Sequence, residues 1–152
     1  RMDLAIQKST ELGVAAITPL YTLYSEVKFK QADRIDKKLN HWRKIAVSAA
    51  EQSGRLSVPK VQQPMAIEQW LETTKSKMKL ILSPSGNTRF AELSAGDSCD
   101  LLIGSEGGFS PDEVKQSKKS DFVEVTMGQR VMRTETAPIA ALAILQYRFG
   151  DI

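Results

Sequence analysis

The chain has 152 residues, of which 41% are hydrophobic and 26% charged, an ordinary composition for one globular domain with a substantial core. Its net charge of +3, from 21 basic and 18 acidic residues, permits a polyanionic partner but excludes a strongly basic nucleic-acid-binding arm. Cys99 is the only cysteine, which excludes an intrachain disulfide and a cysteine-built metal site. His41 is the only histidine and lies in a charged stretch far from any candidate nucleophile, so we expect a surface imidazole, not a member of a catalytic triad.

The chain shows no targeting or membrane signal. No apolar run approaches the ~20 residues that span a bilayer, and no signal peptide is visible at the start. We therefore expect a cytoplasmic protein. Because the sequence begins with Arg1 instead of methionine, we also expect a fragment of a longer chain.

The N-terminal stretch predicts a helix and then two strands. Asp3 can cap a helix over residues 4–12, and Gly13 stands where a C-terminal cap is expected. The apolar residues 14–20 predict a buried strand. Residues 21–27, which are aromatic and β-branched, predict another short strand.

Apolar residues three or four positions apart predict a second helix from about residue 32 to residue 53. Gly54 ends this helix, and Arg55 follows in a loop where its guanidinium is available to a ligand. Much of the remaining helix surface is basic, which fits either a solvated face or a surface that contacts RNA phosphates. The apolar residues are Ile35, Leu39, Trp42, Ile45, Ala46, Ala49 and Ala50, and the basic residues are Arg34, Lys37, Lys38, Arg43 and Lys44.

The middle of the chain alternates short strands with a helix. We predict strands over residues 58–61 and 79–83, a short helix over residues 65–74, and a turn at residues 84–87. The central strand of the sheet is predicted at residues 100–103.

The C-terminal third contains a complete helix start. Ser110 is the predicted N-cap, Pro111 occupies the first helical position, and Glu113 closes a capping box. Residues 122–126 predict a strand, and a final helix runs from about residue 134 to residue 147. The order of elements predicts one α/β domain with a mainly parallel sheet flanked by helices.

A glycine-rich loop at residues 103–108 follows the predicted central strand. It has neither the Gly-Lys-Ser/Thr ending of a Walker A loop nor the spacing of a dinucleotide fingerprint. Glu106 would repel a pyrophosphate, so the loop suits a neutral or cationic ligand, or one with donors such as ribose hydroxyls. The alternative is a tight turn with a purely structural role.

A second glycine-bearing loop, at residues 127–136, carries two arginines just before the last helix. Arg130 and Arg133 concentrate hydrogen-bond donors near a helix N-terminus, where they can hold a phosphate or stabilise developing negative charge. Alternatively, Arg133 and Glu135 take part in ion pairs that only hold the loop. The alanine-rich last helix also permits close helix approach, which is compatible with a dimer contact.

These motifs together resemble the SPOUT superfamily of S-adenosylmethionine-dependent RNA methyltransferases. Within it, the chain is similar to the bacterial family that methylates uridine N3 in small-subunit ribosomal RNA. The two glycine-loop motifs carry the resemblance to the superfamily, and four N-terminal motifs narrow it to the family. The matching positions are Met2, Asp3, Lys8 and residues 10–14, 17–20, 42–46, 51–55, 102–108 and 130–137.

The resemblance implies an α/β fold with a C-terminal trefoil knot, and a homodimer that binds S-adenosyl-L-methionine at the subunit interface. It also implies that residues 1–152 are the SPOUT methyltransferase domain and that the family's N-terminal PUA-like RNA-binding domain is absent from this chain. Carried over by position, the cofactor contacts are Leu82, Ser83, Ile103, Gly104, Glu106, Gly108, Met127, Gly128, Val131, Met132, Arg133 and Ala137.

The reaction implied by the resemblance is methyl transfer to N3 of uridine, with small-subunit ribosomal RNA as partner and no metal ion. Loss of the N3 proton leaves negative charge on the uracil, which Arg133 can stabilise together with Arg130 or the partner subunit's Arg55. Glu106 and Glu135 are candidate bases. Two alternatives are a SPOUT methyltransferase that acts on another base or a ribose 2′-hydroxyl, and a non-catalytic RNA-binding or assembly module.

Overall fold

The computed structural model describes residues 1–25 and 32–152, with side chains in the second range from residue 34 onward. All the predicted helices are present, but the helix predicted over residues 65–74 begins only at Ile67, because Met65–Ala66 forms a strand that pairs with Leu20–Tyr21. That strand, the strand β6 and a 3-10 turn at Phe90–Glu92 are not predicted from the sequence. In chain order the elements are α1 (Met2–Glu11), β1 (Ala16–Ile17), β2 (Leu20–Tyr21), α2 (Ala32–Gln52), β3 (Lys60–Val61), β4 (Met65–Ala66), α3 (Ile67–Thr73), β5 (Met78–Leu82), β6 (Thr88–Arg89), β7 (Cys99–Ile103), α4 (Pro111–Lys119), β8 (Val123–Thr126) and α5 (Thr136–Phe149).

The prediction of one continuous strand over residues 14–20 is wrong. The run is divided into β1 and β2 at Pro19, which has no N–H to donate to a sheet. Each part pairs in parallel with a later segment, β1 with β3 and β2 with β4. Beyond β2, residues 22–25 form a turn instead of the predicted strand, and residues 26 and 27 lie outside the described residues.

Four strands form the main sheet in the order β6-β8-β5-β7, and every pairing in it is parallel. β5 is hydrogen-bonded on both sides, whereas β7 lies at one edge of this four-stranded sheet. This corrects the prediction that residues 100–103 form the central strand, because β5 pairs with both β7 and β8. The α/β class with parallel strands flanked by helices is confirmed, and the trefoil knot stays a prediction from the resemblance.

Helices cover both faces of the main sheet. Successive residues of a strand point to opposite faces, so neighbouring residues of β5 contact different helices. Ile81 packs with buried residues of α3 on one face, and Leu80 packs with buried residues of α5 on the other. A third apolar cluster joins α1 to α2, where Ile6 meets Leu39 and Trp42. The carboxyl ends of β5, β7 and β8 are therefore fixed relative to one another by a packed core.

Asp3 does not cap α1, contrary to the sequence prediction. The N-cap position is Arg1, which makes no capping hydrogen bond with its side chain, and Asp3 lies inside the first turn. Its carboxylate lies 2.8 Å from His41 Nε2 and accepts a hydrogen bond from Trp42 Nε1 at 3.1 Å. Asp3 thus connects α1 to α2, and His41 is the exposed imidazole that the sequence predicts.

The contact with His41 makes a testable contribution to stability. Hydrogen bonding from His41 lowers the pKa of Asp3, so the stabilisation is present above the usual aspartate pKa of about 3.9 and is lost as the pH falls through the lower pKa of the folded state. Because the side chain is 55% exposed, we expect Asp3→Asn to lower the free energy of unfolding by less than about 1 kcal/mol at pH 7. Urea unfolding at pH 7 and at strongly acidic pH measures this difference, and a loss that is equal at both pH values would contradict its ionic origin.

Candidate active site

Three loops meet at the carboxyl edge of the main sheet. Leu82, the last residue of β5, lies opposite Ile103 of β7 on one side and Val125 of β8 on the other. The loops that follow these strands therefore start side by side, in the position where parallel α/β sheets bind ligands. They are the β5–β6 loop (residues 83–87), the β7–α4 loop (residues 104–110) and the β8–α5 loop (residues 127–135).

The β7–α4 loop is a tight turn built on its glycines. The Gly108 N–H donates a hydrogen bond to Ser105 O at 2.9 Å, and Gly108 has a φ of +70°, which favours glycine. A Cβ on Gly104 would lie 3.0 Å from the backbone of Gly108, so the two ends of the turn approach closely. The turn leaves Glu106 exposed at its tip.

The β5–β6 loop is held by a polar network that the sequence does not predict. The Ser83 N–H donates to Val125 O at 2.9 Å, and the Ser83 and Ser85 hydroxyls lie 2.8 Å apart. Ser85 Oγ in turn donates to Glu124 Oε1 at 3.0 Å. Lys118 lies 2.6 Å from the other oxygen of Glu124 and is the main cause that holds the pKa of this carboxyl below its usual range. The loop therefore rests on an ionised acceptor of β8.

The β8–α5 loop presents its basic residues to solvent. Arg130, Val131 and Arg133 are exposed, whereas Met132 is half-buried. Gly128 has a φ of +96°, so the loop leaves β8 through a backbone conformation that other residues rarely adopt. The exposed side chains follow directly, where a ligand on the carboxyl edge could reach them.

Arg133 is anchored by its backbone and not by its side chain. Its carbonyl oxygen accepts hydrogen bonds from the N–H groups of Thr136 at 2.9 Å and Ala137 at 3.0 Å, in the first turn of α5. Ala137, an expected cofactor contact, is buried in this turn. In the part of the chain that the structure describes, the Arg133 guanidinium forms no ion pair, whereas Glu135 lies at ion-pair distance from Arg1. The alternative of a loop held by ion pairs is therefore observed for Glu135 and not for Arg133. The guanidinium is therefore available to an anionic group.

Arg1 connects the two glycine loops, a contact that no sequence pattern indicates. Its guanidinium forms an ion pair with Glu106 and lies 4.0 Å from Glu135 Oε2. The Glu135 side chain is only 15% exposed, in contrast to Glu106. The two candidate bases thus lie within reach of one cation.

Two buried polar atoms of the β8–α5 loop lack a hydrogen-bond partner among the described residues. They are Thr134 Oγ1 and Glu135 Oε2. Buried hydroxyl and carboxylate oxygens are normally satisfied, so both atoms are open to a ligand. S-adenosylmethionine has amino and hydroxyl donors that suit them, and the glycines of the β7–α4 loop permit its close approach to backbone. The residues present therefore fit this cofactor.

Arg55 has a structural role within its own chain. Its Nη1 donates to the carbonyl oxygens of Thr10 at 2.8 Å and Val14 at 2.9 Å, which closes the C-terminal end of α1. Gly54 has a φ of +72° and ends α2 as predicted. Nη1 thus supplies donors to carbonyl groups at the end of α1 and just after it, and the availability of the Arg55 guanidinium to a ligand stays a prediction. These two hydrogen bonds hold Arg55 at the end of α1, and no described hydrogen bond joins it to Arg133 of the same chain.

Glu113 joins α4 to the turn that follows β2. Its Oε2 accepts the Ser110 N–H at 2.7 Å in the predicted capping box, and its Oε1 accepts the Leu23 N–H at 2.7 Å. The capping box joins neighbouring residues and is predicted by the sequence. The contact with Leu23, which is distant in sequence, is not predicted. Both carboxylate oxygens are thus engaged in a side chain that is only 5% exposed.

We expect Glu113→Gln to lower the free energy of unfolding by about 1–3 kcal/mol, because a side-chain amide has one acceptor oxygen whereas the Ser110 and Leu23 N–H groups both donate to this side chain. The exposed neighbour Asp112 on the same helical turn provides a control, and Asp112→Asn should cost less than about 0.5 kcal/mol. Urea unfolding of both variants measures the difference. Equal losses would show that the Leu23 and Ser110 contacts do not matter.

A cleft of about 960 Å³ is lined by residues of α1, β1–β2, β7 and α5, and it reaches the candidate site at Ile103, Gly104, Ser105 and Thr134. Of the expected cofactor contacts, Ile103 and Gly104 line it and the others do not. Most of the expected cofactor contacts thus lie on the three loops outside this cleft.

Neither a metal centre nor a membrane span is found within residues 1–25 and 32–152. No group of three or more His, Cys, Asp and Glu side chains there is placed to hold a metal ion. No helix in that part of the chain is long and apolar enough to cross a membrane.

Residues 1–146 match the family model described as an RNA methyltransferase domain. The chain belongs to this RNA methyltransferase domain family. The resemblance that the sequence motifs indicate is thereby confirmed, as is the α/β fold.

Curated proteins that this chain resembles extend beyond the matched region. "Ribosomal RNA small subunit methyltransferase E" of Buchnera aphidicola subsp. Schizaphis graminum is 41% identical over 154 residues, which cover 100% of this chain and 62% of that protein. The protein of the same name from Bacillus subtilis is 34% identical over 158 residues, which cover 97% of this chain and 61% of that protein. The chain thus spans 61–62% of the length of these relatives.

Solved methyltransferase structures have the same fold. A putative methyltransferase from Legionella pneumophila, in complex with the cofactor SAM, superposes with a TM-score of 0.96 and 39% identity over 99% of this chain and 62% of that chain. A ribosomal RNA small subunit methyltransferase E from Neisseria gonorrhoeae, bound to S-adenosyl methionine, superposes with a TM-score of 0.90 and 37% identity. The match covers 97% of this chain and 61% of that chain.

Proposed function

We propose that the protein methylates N3 of uridine in small-subunit ribosomal RNA, with S-adenosyl-L-methionine as methyl donor. The observation that carries the proposal is the meeting of three loops at the carboxyl edge of the sheet, with the exposed Arg133 on one of them. Support comes from relatives named as small-subunit ribosomal RNA methyltransferases and from related structures that hold the cofactor. Such a substrate places the reaction in the cytoplasm, where bacterial ribosomes assemble.

The three loops hold the cofactor in this proposal. When bound, the cofactor supplies a methyl group activated by its sulfonium. Backbone groups around Leu82, Gly104 and Met127 bind it, since Leu82 ends β5 directly before one loop and the other two residues start the adjacent loops. Thr134 Oγ1 and Glu135 Oε2 gain the partners that the described residues do not provide. The remaining proposed contacts are Ser83, Ile103, Glu106, Gly108, Gly128, Val131, Met132, Arg133 and Ala137.

Arg133 acts on the uracil. N3 must lose its proton before it can accept a methyl group, and a nearby guanidinium stabilises the resulting anion and so lowers the pKa of the base. Arg130 adds a second positive charge. Glu106 and Glu135 are the candidate proton acceptors, and Arg1 positions them both.

A homodimer is part of the proposal. α5 keeps Ala140 and Ala143 partly exposed, and these small side chains allow a second helix to approach closely. In such a dimer the partner subunit's Arg55 adds a further positive charge to the site. The molecular mass of the full-length protein by light scattering tests this part of the proposal.

Two measurements on the full-length protein test the reaction. Calorimetry with S-adenosylhomocysteine should show micromolar binding, and mass spectrometry of nucleosides from methylated small-subunit RNA should show 3-methyluridine. A methyl group on another base or on a ribose 2′-hydroxyl would identify a different methyltransferase. Absence of cofactor binding would favour the non-catalytic RNA-binding or assembly module.

A further inference from the structure

An exposed apolar pair lies beside the β7–α4 loop. Leu23 is 62% exposed and Tyr24 is 47% exposed, although both residues are large. They lie in the turn at residues 22–25, which follows β2. The proposed function assigns no role to this pair.

The turn is held in place by hydrogen bonds from two directions. The Leu23 N–H donates to Glu113 Oε1 at 2.7 Å, and that carboxylate is itself buried and fixed by the capping box of α4. Ser105 Oγ donates to Tyr24 O at 3.1 Å. The Ser25 hydroxyl closes the turn by donating to Thr22 O at 2.8 Å. The exposure of Tyr24 is therefore imposed by an ordered backbone.

Tyr24 lies against the tip of the β7–α4 loop. A Cβ added to Gly107 would lie 2.7 Å from the Cβ of Tyr24, so the absence of a side chain at Gly107 is what admits the tyrosine. Gly107 stands between Glu106 and Gly108, two of the proposed cofactor contacts. A half-exposed aromatic ring thus borders the loop at which the methyl donor is proposed to bind.

We propose that Tyr24 is a substrate-binding residue, whose ring stacks against an unpaired nucleobase of the RNA next to the cofactor site. The inference rests on the proposed function. Enzymes that modify a base must take it out of its stack, and RNA-binding proteins hold such bases on aromatic side chains. The fixed turn holds the ring ready for stacking, so little conformational freedom is lost on binding. Leu23 extends the apolar surface beside the ring.

Three variants of the full-length protein test the role of the ring. Tyr24→Ala removes it, Tyr24→Phe keeps it without the hydroxyl, and Tyr24→Leu keeps apolar bulk without aromatic stacking. Each is measured for S-adenosylhomocysteine affinity, for affinity to small-subunit RNA that contains the methylated site, and for kcat and KM of methyl transfer. Thermal unfolding reports whether the variants fold.

We expect Tyr24→Ala to weaken RNA affinity and raise KM by about ten- to a hundredfold, with cofactor affinity unchanged within about twofold. Tyr24→Phe should behave like the wild type, and Tyr24→Leu should lie close to Tyr24→Ala. Wild-type RNA affinity in Tyr24→Ala, or equal losses in Tyr24→Ala and Tyr24→Phe, would overturn the proposal. So would a loss of cofactor affinity as large as the loss of RNA affinity, since that would reveal only a support for the loop.

The same measurements separate this proposal from the proposed function. If the wild-type protein binds the RNA but transfers no methyl group, the proposed reaction fails while the RNA affinities of the variants still decide the role of Tyr24. If the wild-type protein binds no RNA, both proposals fail. If Tyr24→Ala does not fold, Tyr24→Leu and Tyr24→Phe decide between stacking and bulk.

Discussion

The Arg133→Ala variant of the full-length protein is expected to lose at least about a hundredfold in the rate of methyl transfer, with its fold intact. Arg133 is held by its carbonyl oxygen, which binds the N–H groups of Thr136 and Ala137, so truncation of the side chain leaves this anchor in place. Its exposed guanidinium has no ion pair among the described residues, and no charged partner is left behind. The loss should therefore fall on the chemistry and not on stability. Single-turnover methylation of small-subunit RNA measures it.

Two further variants make this test specific. Lys77 lies just before β5, at the edge of the sheet opposite the carboxyl edge, and its exposed ammonium group pairs with Asp97. Lys77→Ala removes this positive charge and should leave the rate of methyl transfer unchanged. Arg133→Lys keeps the charge without the planar guanidinium and should lie between the wild type and Arg133→Ala. The rate of Arg133→Ala should also recover partly at alkaline pH, where uridine loses its N3 proton without assistance. Retained turnover in Arg133→Ala would remove Arg133 from the mechanism.

The second large effect is expected from Gly86→Ala. A Cβ at this position would lie 2.7 Å from the backbone carbon of Val125 and 2.9 Å from its oxygen. β8 cannot move away, because it is hydrogen-bonded to β5 on one side and β6 on the other. The β5–β6 loop must shift instead. We expect a loss of about 1–3 kcal/mol in the free energy of unfolding, together with weaker cofactor binding through the displaced Ser83.

Gly96→Ala is the matched control for this substitution. A Cβ there would meet its nearest neighbour, the side chain of Met78, at an ordinary contact distance of 3.6 Å. We expect a change of less than about 0.5 kcal/mol and unaltered cofactor affinity. Urea unfolding and calorimetry with S-adenosylhomocysteine on both variants provide the comparison. Equal behaviour of the two variants would show that the loop has more space than the structure allows.

The local features of the fold are those that the sequence predicts well. Ser110 and Glu113 form the expected capping box, and Gly13, with a φ of +85°, follows α1 as expected of a cap. Asp3 is the exception, because its carboxylate binds side chains of α2 instead of the start of its own helix. The order of β5, β7 and β8 within the sheet likewise depends on pairings between distant segments, which periodicity does not encode.

The features of the candidate site also separate into those that the sequence predicts and those that only the structure shows. The glycine loops, the exposed Arg130 and Arg133, and the methyltransferase family all follow from motifs in the sequence, since a motif lists residue types at fixed spacing. The ion pair of Arg1 with Glu106 and the contact of Tyr24 with the β7–α4 loop do not, because their members are far apart in the chain.

The amino-acid sequence thus specifies the helices, the turns and the chemistry that the loops can offer, because these depend on neighbours within a few positions. Only the folded chain decides which loops share an edge and that Arg55 binds carbonyl groups at the end of α1. The same holds for the approach of the Arg1 guanidinium to both Glu106 and Glu135. The physical reason is that these contacts are created by parallel strand pairing and helix packing between remote segments. They appear only when burial of the common core brings those segments together.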